Sequence, residues 1–541
     1  MTSGVPGRLG LPLLGLAFIA LAVACAPRAT PTPTPTPVAE VKQGGVLRLA
    51  QPGDPTSCDL AMWRGVGYQS VHPCNSMLNQ LVRIDPYDHS RILPDLAERW
   101  ESGEDGTLWT FYLVPNVRWH DGQPLTADDV LFSLQRIMET PPGLQPGRAA
   151  PVAQYIQSVE APSPDTVVVR TKFPAASFLV NLASVYVSIY PKHVVEAMAP
   201  PTMEAFPSVV GSGPFRFRAF NRGSSYEMER YRDYFVRNRP YLDGVTYLVM
   251  PNPATQFAAL RAHQVDVIPI GIAESQAKEI VDSLSDRIAV QETATANFWA
   301  VQMNTKAWPF DDQRVREAVN LALDRDAAIQ FQGGGYRGAA MPPTGAWGLP
   351  ESELTKLPGL GDKTQERARA RELLAQAGLG GGMRVKMLSR SGAFFQDLAT
   401  FVAGQLVEVG VQAELDTQET VAYLDRLQRR DFQITASSSG LTLDDPDQVF
   451  TDHYLCIGSE NFTQLCDSQI ESLFQQQQRT LDYQKRRDLV WQMQRRLWDL
   501  NGKVIINWSI RRTPVWREVK GFVMGASNYQ GMRLDTVWKD E

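Results

Sequence analysis

Residues 93–138 read LPDLAERWESGEDGTLWTFYLVPNVRWHDGQPLTADDVLFSLQRIM, and this stretch decides the fold. The run WTFYL at 109–113 is rich in aromatic residues and predicts a strand. The Asp-Gly pair at 121–122 predicts a turn, and Thr126 with Asp129 three residues later forms an approximate capping box that begins a helix. A strand, a turn and a helix in succession predict a mixed α/β architecture.

Similar elements are predicted along the rest of the chain. Strands are expected at residues 45–50, 245–249 and 411–415. Helices are expected at 398–409 and 489–500, where leucine, valine and methionine recur at helical spacing. The folded part is therefore expected to be α/β throughout.

Length and composition indicate a multidomain globular protein. The 541 residues exceed the size of one core, and 43% hydrophobic with 21% charged residues are close to the averages of folded soluble domains. The net charge is only -6 and the basic residues are scattered, so no nucleic-acid partner is expected.

The N-terminus has the pattern of an export signal. One arginine precedes an apolar run at 11–23, which is too short for a membrane span. We therefore expect residues 1–24 to be a signal peptide. The sequence LAVAC at 21–25 resembles a bacterial lipobox and predicts lipid attachment at Cys25. A signal peptide cleaved elsewhere, with Cys25 an ordinary thiol, is the alternative.

A strict Thr-Pro alternation at residues 30–37 follows this cysteine. Because repeated proline prevents helix and sheet formation, residues 25–43 are expected to be a lipidated cysteine followed by an extended linker. At about 3.1 Å per residue, the linker would reach on the order of 50 Å. We therefore expect the folded part to be tethered to the outer face of the cytoplasmic membrane.

Four cysteines remain in the folded part, namely Cys58, Cys74, Cys456 and Cys466. An even number in an oxidising compartment predicts disulfides, and the spacing does not match a zinc site. Four cysteines allow three pairings. Joining each cysteine to its neighbour in sequence is the simplest of them, and free buried thiols are the alternative.

The sequence lacks the familiar motifs of catalytic and metal sites. It has no HExxH, GxSxG or P-loop pattern and no GxGxxG after a predicted strand, and its six histidines are dispersed. We therefore expect no enzyme activity, no metal and no cofactor. Carboxylates cluster at Asp444, Asp445 and Asp447, where we expect a solvated turn or the rim of a ligand cleft.

Aromatic residues are a better indication of a ligand site. We place five of them at strand ends or loops, where they would enclose a ligand, although each also suits a protein core. They are Trp63, Tyr68, Phe298, Trp299 and Trp347.

The stretch at 93–138 closely resembles the signature of the peptide/nickel-type (family 5) solute-binding proteins of ABC importers, which include dipeptide- and oligopeptide-binding proteins. Further similar blocks are GSGPF at 211–215, DPD at 445–447 and VKGF at 519–522. With the blocks between them, the resemblance covers nearly all of residues 44–525.

This resemblance implies a non-enzymatic, periplasmic-binding-protein-like fold of the large peptide-binding type. Two α/β lobes would close over a ligand, and the first lobe would carry an extra subdomain. The implied boundaries are 44–82, 205–297 and 506–541 for the discontinuous first lobe, 83–204 for the extra subdomain, and 298–505 for the second lobe.

The resemblance also implies where a ligand binds. In peptide-binding members an aspartate four residues before the proline of the Asp-Pro element binds the ligand's α-amino group; here that position is Thr442, whose neutral hydroxyl cannot pair with an ammonium. Either Asp444 replaces it, or the ligand lacks that group. Arg390 matches an arginine that clamps the ligand's carboxylate in dipeptide binders, with a surface or interlobe salt bridge as the alternative.

The expected function is that of a monomeric, exported lipoprotein that captures a peptide-like ligand and delivers it to the permease of an ABC importer. A non-peptide solute, such as an oligosaccharide or a metal chelate, is the alternative ligand. A sensory role and, less favoured, a secreted hydrolase are the alternative functions.

Overall fold

The computed structural model describes Met1 and residues 41–540, apart from 63–66, 89–90, 145–146 and 204–208. The predicted signal peptide, the lipid attachment at Cys25 and the Thr-Pro repeat lie outside the described residues, as does Trp63. Among the described residues, no helix combines the length and the apolarity that crossing a bilayer requires.

The strands, numbered in chain order, are β1 Val46–Gln51, β2 Val82–Ile84, β3 Ile92–Pro94, β4 Ala97–Ser102, β5 Leu108–Leu113, β6 Ile156–Ser163, β7 Thr166–Thr171, β8 Phe215–Asn221, β9 Ser225–Arg230, β10 Gly244–Val249, β11 Ile288–Met303, β12 Met383–Arg390, β13 Val411–Gln418, β14 Ile434–Gly440, β15 Lys503–Trp516, β16 Val519–Lys520 and β17 Trp538–Lys539. The α-helices are α1 Tyr68–Met77, α2 Ala127–Met138, α3 Ala150–Ala153, α4 Phe178–Leu182, α5 Lys192–Val195, α6 Pro253–Arg261, α7 Glu274–Ser283, α8 Gln313–Ala322, α9 Arg325–Phe331, α10 Glu351–Leu354, α11 Lys363–Gln376, α12 Ala393–Val407, α13 Thr420–Gln428, α14 Pro446–His453, α15 Ser468–Gln478 and α16 Tyr483–Leu500.

The stretch at 93–138 folds as its sequence predicts. β5 is the predicted strand and α2 is the predicted helix. The carboxylate of Asp129 accepts a 3.0 Å hydrogen bond from the backbone N–H of Thr126, which fixes the first turn of α2 and confirms the capping box. The other predicted elements are present as β1, β10, β13, α12 and α16.

One half of the structure contains two four-stranded sheets. The first has the order β1-β10-β9-β8, with β1 parallel to β10 and the other pairs antiparallel. The second is antiparallel and has the order β4-β5-β7-β6. A single hydrophobic core serves both sheets and draws its buried residues from Leu47 to Ile288 and again from Val515 to Val537.

The other half is built on the five-stranded sheet β13-β12-β14-β11-β15. β12 runs parallel to β13 and β14, whereas β11 is antiparallel to β14 and β15. Alternate residues of β11 point to opposite faces. Phe298 and Ala300 therefore enter one core, and Trp299 and Val301 enter another.

β11 and β15 connect the two halves. Ile288 at one end of β11 belongs to the first core, whereas Val301 near the other end belongs to a core of the second half. The pairing of the two strands becomes irregular between Ala294 and Ala300. The lobe boundaries predicted after 297 and before 506 fall inside these strands, and together with the boundaries of the extra subdomain they stay a prediction.

Candidate functional site

Three cavities are grouped around the end of β14, with volumes of about 600, 450 and 760 Å³. The strand-edge cavity is the one lined by Trp299, Phe394, Ser438, Ser439, Gly440 and Tyr529. The arginine cavity is the one lined by Arg148, Gly440, Thr442, Asp452, Ile457 and Glu460. The tryptophan cavity is the one lined by Ala296, Trp347, Asp444, Asp445, Tyr483 and Arg486. The first two share Gly440, the last residue of β14.

The strand-edge cavity exposes one edge of β14. This strand pairs with β11 along its whole length, but on its other edge β12 pairs only with Ile434 and Thr435. Within the described part of the chain, no strand covers that edge over residues 436–440, and the last three of these line the cavity. Free backbone N–H and C=O groups at a strand edge can pair with an added strand.

Aromatic side chains form a wall of the same cavity. Trp299 and Phe394 meet edge to face, with ring centroids 4.6 Å apart. Trp299 is 7% exposed, whereas Phe394 is 48% exposed. Apolar faces beside a strand edge suit the apolar side chains of an extended ligand.

The arginine cavity lies between parts of the chain that are far apart in sequence. Arg148 precedes α3 in the first half, and Thr442 follows β14 in the second. The Nη1 atom of Arg148 donates a 3.1 Å hydrogen bond to Oγ1 of Thr442. The guanidinium also lies over two aromatic rings, 4.9 Å from the centroid of Tyr529 and 5.8 Å from that of Tyr186.

The tryptophan cavity contains a carboxyl group with an unusual pKa. The backbone N–H of Ala346 donates a 3.1 Å hydrogen bond to Oδ2 of Asp444. Burial, with a smaller contribution from Asp445, raises the pKa of Asp444 to about 7. Near neutral pH this carboxyl is therefore present in both protonation states, so it can donate or accept a hydrogen bond.

A buried polar network joins the two halves beside this cavity. From the first half, Tyr155 donates a 2.5 Å hydrogen bond to Asp447, and Ser177 donates a 2.7 Å hydrogen bond to Asp445. Arg486 forms ion pairs with both carboxylates, at 3.3 Å to Asp445 and 3.2 Å to Asp447. These contacts bring α14 and α16 of the second half against the first half.

The loop at residues 525–530 passes between α1 and the end of β14. Ser527 donates a 3.0 Å hydrogen bond to the carbonyl of Leu441. His72 donates a 2.7 Å hydrogen bond from Nε2 to the carbonyl of Asn528. Burial lowers the pKa of His72 to about 4, so the ring is neutral at physiological pH and serves as a fixed donor.

The structure brings four of the predicted ligand residues to the cavities. Trp299 lines the strand-edge cavity, Thr442 the arginine cavity, and Trp347 and Asp444 the tryptophan cavity. Within the tryptophan cavity, the ring of Trp347 lies 5.2 Å from that of Tyr483. The ligand-binding roles of these residues stay predictions.

The remaining predicted ligand residues with described positions do not line these three cavities. Tyr68 does not lie at a strand end or in a loop, as the sequence predicted, but begins α1. Burial, with a smaller contribution from Tyr529, raises its pKa to about 12. Phe298 is 1% exposed and packs in a core. Arg390 donates a 3.0 Å hydrogen bond from Nε to Thr420.

The prediction that Phe298 and Trp299 lie at a strand end or in a loop is wrong. Both lie inside β11. The strand is longer than the local pattern suggests because it continues from one half into the other, paired with β15 on both sides of an irregular region. Long-range pairing, and not local sequence, sets its length.

Sequence reasoning missed Arg148, which no motif marks. The preceding glycine is the one local signal. A Cβ at Gly147 would lie 2.5 Å from the carbonyl oxygen of Ala61, and the Gly147 N–H donates a 2.9 Å hydrogen bond to the same carbonyl. Glycine is therefore required for the close backbone approach that places Arg148 at the cavity.

The described residues contain two disulfide bonds. Cys58 is bonded to Cys74, which lies in α1, and Cys456 is bonded to Cys466. The second bond closes a loop that contains Ile457 and Glu460, both of which line the arginine cavity. This disulfide therefore restrains a wall of the candidate site.

One group of side chains among the described residues has the composition of a metal site: His263, Asp266 and Glu518. Fixed cations already neutralise its carboxylates. Arg48 lies 2.5 Å from Asp266, and the ammonium of Lys539 lies 3.2 Å from Glu518. We assign this group to the ion-pair network that links the chain termini of the folded part.

Two α/β halves joined by paired strands, with ligand-sized cavities at an open strand edge between them, define a two-lobed solute-binding protein. The chain belongs to the bacterial extracellular solute-binding proteins of family 5, whose middle-region model matches residues 91–461. The predicted family is thereby confirmed. Proteins of this family bind solutes outside the cytoplasm for ABC transport and are not enzymes.

Relatives cover most of the chain. The dipeptide-binding protein of Escherichia coli (strain K12) is 27% identical over 477 residues, which are 82% of this chain and 87% of that protein. The periplasmic binding protein DppA from Helicobacter pylori, solved with the peptide STSA, has a TM-score of 0.78 at 23% identity and covers 92% of this chain and 99% of its own. The binding protein AgaA from A. tumefaciens, solved with agropinic acid, has a TM-score of 0.77 at 25% identity with the same coverage. These structures confirm the predicted two-lobed α/β fold.

Proposed function

We propose that the chain is an exported lipoprotein that captures a peptide-like solute between its lobes and delivers it to the permease of an ABC importer. The open edge of β14 in the strand-edge cavity carries this proposal. An extended peptide offers the backbone donors and acceptors that such an edge can pair with. The name of the Escherichia coli relative and the peptide bound to the Helicobacter pylori protein support the same ligand class.

The dimensions of the cavities suit a short peptide. An extended tripeptide is about 10 Å long, and the strand-edge cavity of about 600 Å³ adjoins the arginine cavity of about 450 Å³ at Gly440. Volumes of several hundred Å³ are typical of sites that enclose small ligands. A peptide on the edge of β14 would place alternate side chains against the wall formed by Trp299 and Phe394.

A non-peptide solute is the second candidate ligand. Thr442 is 2% exposed and stands where peptide-binding relatives are expected to have an aspartate, so this position offers no negative charge to an ammonium. The agropinic acid bound to AgaA supports a ligand of this kind.

The proposal is tested with two pools of tripeptides. They differ only in whether the backbone nitrogen of the central residue is methylated. Methylation removes the N–H that would pair with β14 and leaves charge and side chains unchanged. We expect the unmethylated pool to raise the Tm of the purified folded part, and the methylated pool to raise it far less. Equal effects of both pools would exclude pairing with the strand edge. A Tm shift produced only by opines, sugars or metal chelates would show that the ligand is a non-peptide solute.

The proposal of a lipid anchor is based on Cys25 and on the linker that follows it in the sequence. Partition of the full chain between detergent and aqueous phases tests it, because acylation moves a soluble domain into the detergent phase. We expect the wild type in the detergent phase and Cys25→Ser in the aqueous phase. Delivery to a permease is tested by uptake of a radiolabelled tripeptide into cells with and without the chain, and the predicted monomer by size-exclusion chromatography.

A further inference from the structure

Arg148 has hydrogen-bond donors that the protein does not use. Its guanidinium has five N–H groups, and among the described residues only Thr442 accepts a hydrogen bond from it. No carboxylate of the described chain forms a salt bridge with it, although Glu460 and Asp452 are close enough to interact with it electrostatically. An arginine that lines a cavity with most of its donors unpaired is suited to bind an anion that enters the cavity.

The surroundings of Arg148 hold its guanidinium in one orientation. Tyr529 and Tyr186 lie against the flat group, at 4.9 and 5.8 Å from their ring centroids, and Thr442 fixes one corner. A guanidinium held against aromatic rings keeps the donors at its edge available for a planar, bidentate partner.

Two carboxyl groups of the cavity interact electrostatically with Arg148, but neither forms a salt bridge with it. Asp452 and Glu460 also line the cavity, but burial first, and Glu460 second, raises the pKa of Asp452 to about 7. Glu460 also interacts electrostatically with a second cation, Lys503, whose ammonium lies 3.4 Å from the Glu460 backbone carbonyl. Among the described residues that line this cavity, Arg148 is the one arginine or lysine.

We propose that Arg148 binds the terminal carboxylate of the solute, so that a peptide lies along the edge of β14 with its C-terminus in the arginine cavity. This rests on the proposed function. Gly440 lines both cavities, so Arg148 lies in the cavity that adjoins the exposed edge of β14. The carboxylate is the anion that every unmodified peptide carries, and its two oxygens match the guanidinium edge.

This assignment differs from the one that the family resemblance implies. Arg390 would clamp the carboxylate by resemblance, but its Nε atom donates to Thr420 and its guanidinium lies 4.5 Å over Phe395. It does not line the three cavities. Arg148 comes from the other half of the chain, so ligand binding through it would also hold the halves together.

The experiment uses three pools of tripeptides without acidic residues: free acids, C-terminal amides, and N-acetylated free acids. Each pool is incubated with the purified folded part, and the peptides retained after desalting are quantified by mass spectrometry. We expect the free-acid and N-acetylated pools to be retained about ten-fold more than the amide pool, the effect of a charged hydrogen bond. In Arg148→Gln this preference should disappear, and in Arg148→Lys part of it should remain.

The control variant is Arg222→Gln, which removes an exposed arginine that lies 5.9 Å over Phe220 and does not line the three cavities. It should keep the full preference. If Arg148 only bridged the halves through Thr442, Arg148→Gln would lower retention of acids and amides equally, which would overturn the assignment. The comparison of acid and amide pools on the wild type stands even if Arg148→Gln fails to fold.

The remaining outcomes separate the two proposals. Equal retention of acids and amides by the wild type overturns the role of Arg148 and leaves peptide binding in place. Retention from none of the three pools overturns peptide binding, and with it this assignment.

Discussion

The hydroxyl of Tyr155 donates a 2.5 Å hydrogen bond to Oδ2 of Asp447, a residue 292 positions later in the chain. The two residues belong to different halves of the structure. Burial raises the pKa of Tyr155 well above its usual value, so the hydroxyl stays protonated and remains a donor at any physiological pH. The contact therefore links the two halves of the structure.

Removing this hydroxyl should weaken the contact between the two halves. In Tyr155→Phe the carboxylate of Asp447 loses a buried donor, which we expect to cost about 1–3 kcal/mol of unfolding free energy in a urea titration. Small-angle scattering should show a larger radius of gyration without ligand. Tyr112→Phe is the matched control, because the Tyr112 hydroxyl makes only an exposed 3.4 Å contact with Glu101. Equal stability of both variants would rule out this role.

Arg486 should be the least replaceable member of the buried network. Arg486→Met would leave the carboxylates of Asp445 and Asp447 buried without their counterion. Breaking a buried ion pair from one side costs about 3–5 kcal/mol, which chemical denaturation would measure. Lys485→Met, one residue earlier on the exposed face of α16, should change stability by no more than about 0.5 kcal/mol. A loss below about 1 kcal/mol for Arg486→Met would contradict the expectation.

Asp444 should make stability depend on pH. Its pKa is raised from 3.8 to about 7 by burial, so between these values the folded state holds a proton that the unfolded state has released. Its stabilising contribution is complete below about pH 4 and is lost as the pH rises through about 7. Asp444→Asn cannot titrate, so the stability of the wild type relative to this variant should fall from pH 4 to pH 8.

Urea titrations of both proteins across this pH range measure that difference. The control is Asp233→Asn, at an exposed position, for which the difference from the wild type should stay flat. If the difference in stability between the wild type and Asp444→Asn were also independent of pH, Asp444 would have the same pKa in the folded and unfolded states.

The disulfide between Cys456 and Cys466 should support the arginine cavity. It closes a loop of sequence separation 10, and loss of such a crosslink costs about 2–4 kcal/mol. The double variant Cys456→Ser, Cys466→Ser should therefore be less stable and should also retain less peptide, because Ile457 and Glu460 form part of the cavity wall. If stability fell but peptide retention did not change, the disulfide would contribute to stability and not to peptide binding.

Local elements were predictable because their signals are local. The capping box of Thr126 and Asp129 depends on residues three positions apart, and the apolar face of α2 depends on residues within three turns. The family was predictable for a related reason, since residues 93–138 form one continuous block of the match at 91–461. Such patterns need no knowledge of distant parts of the chain.

The candidate site was predictable only in part. Trp299, Trp347, Thr442 and Asp444 line the cavities, but Arg148 meets Thr442 across 294 positions of sequence. A lone arginine in a loop has the same local pattern whether it faces solvent or a ligand. Its position follows from the packing of Gly147 against Ala61, which is a contact between distant segments.

Phe298 and Trp299 separate what the sequence determines from what only the tertiary structure decides. The sequence by itself determined the α/β elements, the family and the set of aromatic residues available for a ligand. It did not determine which of these two neighbours lines a cavity, because that depends on the pairing of β11 with β14 and β15. Side chains alternate along a strand, so the register of long-range pairing sends Phe298 into a core and brings Trp299 to the wall of the strand-edge cavity.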